Sequence, residues 1–270
     1  MKFYKFFMPL ILVCYINAYA QTNVANANRH QEMMNIILQK PKKEIKTIGI
    51  LVYEGFNNLD AMGPYQILKQ ISGAKTFLIA KNRGLVKNNS GVRIQVDTTT
   101  DEVNNLDIIV IPGGALETLL LTKDTSILNW IKLIDKKSIY TTSVCTGAWI
   151  LGATGILKDK NATTNWYRAD EMLLMYGAKF KEERWVKDGK YWTSAGVTAG
   201  MDMSLAIIDD LLGRQYTEAI MLDLEYNPKP PYLGGTPKTT DPLVADMMKE
   251  MYDMVMLPMI EKEKLRLINK

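Results

Sequence analysis

The sequence is poor in the residues that most hydrolytic and metal-dependent enzymes rely on. Among 270 residues it has one histidine, His30, and two cysteines, Cys14 and Cys145. His30 sits in the polar stretch NANRHQEMM, ahead of the first strand-like run. A Cys-His or Ser-His couple inside the folded region is therefore excluded unless that stretch folds back onto it. The His and Cys clusters that hold zinc are missing as well. The apolar run from Phe6 to about Ile16 is roughly 10 residues long, against the 18 to 20 needed to span a bilayer, and Pro9 interrupts it. Excess charge is small, a net +4, and nothing in it calls for nucleic acid. There is no internal repeat and no low-complexity tract.

What is there begins with Lys2 and Lys5, followed by the short apolar run and an Ala18-Tyr19-Ala20 close. These are the parts of a signal peptide, so residues 1–20 are expected to be removed near Ala20-Gln21 and the protein exported, to the periplasm or beyond, without a stable membrane anchor. A lipid on Cys14 is disfavoured because Val13 is too bulky for that processing. With Lys2 and Lys5 gone, 31 basic residues face 29 acidic ones, a net +2. Cys145 is then the single cysteine, in a compartment where disulfides persist, and it has no partner in its own chain. It is either a small buried hydrophobe or a reactive thiol. The roughly 250 remaining residues suit one sizeable domain or two small ones.

Residues 21–45 are polar and then charged, a linker with a short helix around Gln31–Gln39. From Thr47 onward, short β-rich apolar runs alternate with helical spacing. Strands are expected at Thr47–Tyr53, Thr76–Ala80, Val92–Val96, Asp107–Gly114 and Ser138–Val144. Helices are expected at Asp60–Ile71, on both sides of Asp124 within Leu116–Ile134, and at Thr146–Gly155, Asn165–Tyr176, Val197–Leu212 and Gln215–Glu225. Lys179–Val186 and Lys190–Ser194 read as a hairpin around Asp188-Gly189, since Asp-Gly supplies the positive φ of a tight turn. The alternation predicts an α/β fold with a mostly parallel, flavodoxin-like sheet between helices over 46–241. Asn227–Pro242 is too rich in Pro and Gly for regular structure, and 242–270 has methionines at helical spacing, expected to serve packing.

In open parallel sheets, ligands bind where the strands end at their carboxyl side. Asp60, Gly113-Gly114 and Cys145 all fall there. Strand–SVCTG–helix has the form of a nucleophile elbow, with Cys145 as nucleophile and Gly147 as the small residue two positions on. A free thiol is only about 3% ionised at pH 7. A helix N-terminus behind it is worth about 1 kcal/mol, which would lower its pKa by roughly one unit. Asp60 assists further only if it holds a proton, because an ionised carboxylate beside a thiolate raises both pKa values. Asp60 reads equally as a helix cap. The backbone N–H groups of Gly114 and Thr146 are placed to hold developing negative charge, and Gly113-Gly114 reads equally as a strand-ending turn.

The segments FNNLDAMGPYQIL, DIIVIPGGA, SVCTGAWILGATGILKDKNATTNW, TSAGVTAGMDMSLAIIDDLLG and LEYNPKPPY together resemble the isonitrile hydratase branch of the ThiJ/PfpI superfamily, across about Thr47 to Asp241. The resemblance implies a class I glutamine amidotransferase-like sheet, a homodimer and no cofactor. It also implies that a small isonitrile is hydrated to an N-substituted formamide by Cys145, Asp60 and Thr146. An aspartate at the first-strand site, rather than glutamate, separates this branch from the deglycase-like one. Where relatives often carry Thr-Thr-His-Trp, this chain has Asn165, which cannot titrate. Trp149, Asn165 and Trp166 are the expected substrate-binding residues. The alternatives are an exported small-molecule-binding or thiol redox-sensing protein of the same fold, and, less favoured, a deglycase.

Overall fold

The computed structural model describes residues 26–37 and 41–268. The expected signal peptide lies outside them. Within the expected linker, 26–37 is a helix (α1) that begins earlier than the spacing predicts. Among the described residues no helix is long and apolar enough to cross a membrane.

The centre is a seven-stranded sheet in the order β10-β11-β7-β6-β1-β2-β5. Its strands are β1 (Thr47–Leu51), β2 (Lys75–Ala80), β5 (Thr98–Thr99), β6 (Ile108–Ile111), β7 (Tyr140–Val144), β10 (Trp185–Asp188) and β11 (Tyr191–Ser194). Every pairing is parallel except β10 with β11. β6 and β7 are buried along their whole length, which is what strands covered on both faces require. Helices α2 (Asn58–Leu68), α7 (Ala199–Leu212) and α8 (Arg214–Asp223) pack together, and α3 (Leu116–Leu121), α4 (Thr125–Asp135), α5 (Gly147–Ala153) and α6 (Ala169–Met175) form a second group.

Three expectations are corrected. Val92–Val96 is not part of the central sheet. Its core, β4 (Arg93–Gln95), pairs antiparallel with β3 (Leu85–Lys87) in a separate ribbon, and β5 takes the sheet edge. The exposed Arg93 and Gln95 would be costly inside a doubly covered strand. The Asn165–Tyr176 helix starts only at Ala169. Before it, Asn165 Oδ1 accepts the Tyr167 N–H at 3.0 Å and Arg168 is left-handed at φ 49°, a side-chain-closed turn that competes with helix. The expected first half of the hairpin is divided. Lys179–Phe180 (β9) pairs with Asn161–Ala162 (β8), and only β10 turns through Gly189, φ +64°, into β11.

The arm 227–241 has no regular structure and leads into α9 (Pro242–Ile268). Met256 and Ile260 of α9 join Leu119, Trp149, Tyr167, Met172 and Tyr176 in a second apolar cluster beside the main core. The helix is held by Asp253, which accepts from the Tyr167 hydroxyl at 2.7 Å and from two Arg168 nitrogens at 2.7 and 2.9 Å. The C-terminal segment thereby crosses the carboxyl ends of the strands.

Candidate active site

Cys145 directly follows β7 and precedes α5, in the left-handed conformation at φ 58°. A non-glycine residue there costs on the order of 1–3 kcal/mol and persists only where its surroundings hold it. They do so through its backbone. Its N–H donates to Ser194 O at 3.0 Å, extending the ladder with β11, and its carbonyl accepts from Thr164 Oγ1 at 2.8 Å. Gly147 lets the start of α5 lie against β6. A Cβ there would fall 2.0 Å from Ile111 O, so the sharp turn tolerates only glycine.

Asp60 lies in the first turn of α2, but the cap is Asn57, whose side chain accepts the Leu59 N–H at 3.1 Å. The capping role considered for Asp60 is corrected accordingly. Asp60 is fully buried. Its Oδ2 accepts the Gly113 N–H at 3.1 Å, and among the described residues Oδ1 has no hydrogen-bond partner. Burial pushes its pKa up to about 7, opposed by the Gly113 N–H and by the adjoining Cys145 thiol. The Cys145 thiol is itself held well above the ordinary range, by burial first and then by the Asp60 charge. The Thr146 N–H and the Asn165 amide act in the opposite direction. The expected helix-end lowering is thus outweighed by desolvation, and the resting nucleophile is a thiol. Thiol and carboxyl titrate together. Above about pH 7 they share one proton, and the thiolate forms when that proton sits on Asp60.

Asn165 supplies a fixed donor. Its Oδ1 is committed to Tyr167, so its Nδ2 points at Cys145 Sγ, 3.4 Å away. Thr146 is locked into the scaffold. Its Oγ1 accepts the Gly114 N–H at 3.1 Å, donates to Gly114 O at 2.7 Å and lies 3.0 Å from Thr118 Oγ1. Thr118 meets the Tyr53 hydroxyl at 3.2 Å, which donates to Pro112 O at 3.0 Å. In this state the Gly114 amide, expected with that of Thr146 to hold developing charge, is engaged by Thr146 Oγ1, and the neighbouring Gly113 amide by Asp60. Gly113 is confined by the same atoms: a Cβ on it would come within 2.6–2.8 Å of Thr146 Oγ1, Thr146 N and Asp60 Oδ2.

Cys145 opens onto a cavity of about 110 Å³, whose walls include Trp149, Asn165, Asn57, Asn89 and, from α9, Tyr252 and Met256. Of the three expected binding residues, Trp149 and Asn165 line it. Trp166 does not; it stacks edge-on to Tyr167 and Tyr252, with centroids at 6.0 and 5.7 Å, and borders a separate hollow under the arm with Pro237, Thr240 and Met248. Tyr252 and Met256 escaped sequence reasoning. They sit in an apolar helical pattern that announces packing without saying onto what.

Comparison with known proteins adds the context. The pattern of the DJ-1/PfpI family matches residues 46–210. The isonitrile hydratase of Pseudomonas putida is 36% identical over 199 residues, 74% of this chain and 86% of that protein. Deglycase PfpI of Pyrococcus furiosus is 29% identical over 143 residues, 52% of this chain and 83% of its own. The crystal structure of a ThiJ/PfpI family protein from Pseudomonas syringae superposes with a TM-score of 0.79 at 32% identity, covering 87% of this chain and 94% of the other.

Proposed function

The chain belongs to the DJ-1/PfpI family, and from that membership we propose that it is an isonitrile hydratase-type enzyme that converts a small isonitrile to an N-substituted formamide. The observation that carries the reading is the buried Asp60–Cys145 pair. Asp60, with a pKa of about 7, is poised both to hold a proton and to release it at neutral pH. In the reaction the Cys145 thiolate attacks the terminal carbon while Asp60 gives that carbon its proton, leaving a thioimidate. Water then attacks the same carbon, Asp60 takes up a water proton, and loss of the thiolate frees the formamide. The cavity, about 110 Å³ and lined among the described residues by no charged side chain, suits a small neutral reactant. The Asn165 amide stabilises the thiolate without titrating, so a neighbouring imidazole is not required for nucleophilicity.

The expected outcome is that purified protein turns cyclohexyl isonitrile into the formamide and that Cys145→Ala does not. Equal turnover by the two proteins sinks the reading. A redox-sensing role is less well supported, because a buried thiol kept protonated reacts slowly with oxidant. A deglycase reading has the Pyrococcus relative in its favour and Asp60, in place of glutamate, against it. The same reading carries export and a homodimer as proposals. N-terminal sequencing of the mature protein tests the first and sedimentation equilibrium the second.

A further inference from the structure

The hydratase chemistry needs a proton at two different atoms. The first goes to the isonitrile carbon, and Asp60 is placed for it. The second goes to the nitrogen. In the isonitrile, nitrogen has no free lone pair, but once sulfur has bonded to carbon the thioimidate nitrogen has one, and it must gain a hydrogen as water adds. Asp60 is poorly placed to serve both. Its Oδ2 is held by the Gly113 N–H, so Oδ1 alone is available, and at that moment it must receive the proton of the attacking water.

The cavity walls narrow the choice of second donor. Asn57, Asn89 and Asn165 line the space, but amide groups donate hydrogen bonds without releasing protons. The Thr146 hydroxyl is saturated by Gly114 and Thr118. Tyr53 is committed to Pro112 O and Tyr167 to Asp253. Tyr252 differs. It lines the cavity with Cys145, its ring stacks on Tyr167 with centroids 5.1 Å apart, and among the described residues its hydroxyl has no hydrogen-bond partner. Burial, and then the Cys145 charge, raise its pKa, so it stays a protonated donor across the working range.

We propose, on the basis of the hydratase reading, that Tyr252 is a further catalytic residue, the general acid that protonates the thioimidate nitrogen in the second half of the reaction. As the water oxygen bonds to carbon, its proton passes to Asp60 and the Tyr252 proton passes to nitrogen, forming R–NH–CH(OH)–S–Cys145. The carbon–sulfur bond then breaks, its electron pair stays on sulfur, and the hydroxyl proton of the adduct returns to the Tyr252 oxygen. The formamide leaves, with the thiolate, the protonated Asp60 and the Tyr252 hydroxyl all restored. The hydrogen bond to nitrogen exists only after attack, so it lowers the barrier without tightening substrate binding.

The test is Tyr252→Phe, which keeps the ring stacked on Tyr167, assayed with cyclohexyl isonitrile beside the unaltered protein and followed by intact-protein mass spectrometry. The expected result is a kcat reduced about 10²-fold, with the variant accumulating a covalent mass gain of one isonitrile molecule on Cys145 and the unaltered protein showing little. Full activity in Tyr252→Phe, or a reduced rate without adduct, overturns the proposal and leaves the hydratase reading standing. An unaltered protein that neither turns over the isonitrile nor forms an adduct overturns both.

Discussion

Asp60 is a residue whose value to catalysis is a burden to folding. A carboxyl has a pKa near 3.9 in an unfolded chain and about 7 here, so between those values the folded state binds more protons. Asp60's own contribution to stability is therefore fully present below about pH 4 and is lost as the pH rises towards 7. The difference corresponds to an order of 4 kcal/mol. Asp60→Asn, which keeps the shape and removes the charge, should melt higher than the unaltered protein at pH 8, match it more closely at pH 5, and have no hydratase activity. A lower melting temperature at pH 8 would count against the buried carboxylate. Activity should rise through about pH 7 as the pair moves from two protons to one. Gly113→Ala acts on the same atoms: a Cβ 2.6 Å from Thr146 Oγ1 and 2.8 Å from Asp60 Oδ2 forces the pair apart, and kcat should fall by about 10². Asp60 and Cys145 were legible in the sequence because each follows a strand at its carboxyl end. The direction of the thiol's shift was not, because helix-end stabilisation is a local effect and desolvation depends on what packs around the sulfur.

Among the elements, α9 does most to change how the site is understood. As a sequence it reads as a packing helix, yet it carries Tyr252 and Met256 into the cavity wall. Its polar hold nearest the cavity is Asp253, which joins Tyr167 and Arg168, and Lys264 pairs with Glu171 further along. Asp253→Ala should loosen the helix over the cavity, so iodoacetamide should label Cys145 faster than in the unaltered protein, read as the time course of mass gain. An unchanged labelling rate would show that Met256, Ile260 and the Lys264–Glu171 pair hold the helix without Asp253. The helix pattern from Pro242 was legible from its spacing, and the irregular arm before it from Pro and Gly. The late start of α6 was not, because the Asn165 side chain takes the Tyr167 N–H in place of a helical carbonyl, and that competition is invisible to periodicity.

At the scale of the molecule, the two apolar clusters meet along α5, with Trp149 in one and Ile150 and Leu151 in the other. That continuity predicts a single cooperative unfolding event. In urea, tryptophan fluorescence and the exposure of Cys145 to a thiol reagent should share one midpoint. Thiol exposure at lower urea would show that α9 and the smaller cluster open separately. The sequence by itself determined the sheet class, most of the central strands and the strand-ending positions of Cys145, Asp60 and Gly113, because apolar period, turn chemistry and strand-to-helix punctuation are local properties of the chain. Only the tertiary structure decided which groups share a proton, that Asn57 rather than Asp60 caps α2, that Trp166 stands outside the cavity, and that α9 closes it. Those outcomes depend on desolvation and on which residues, as far apart in the chain as Cys145 and Tyr252, come to line one cavity, and no local pattern encodes them.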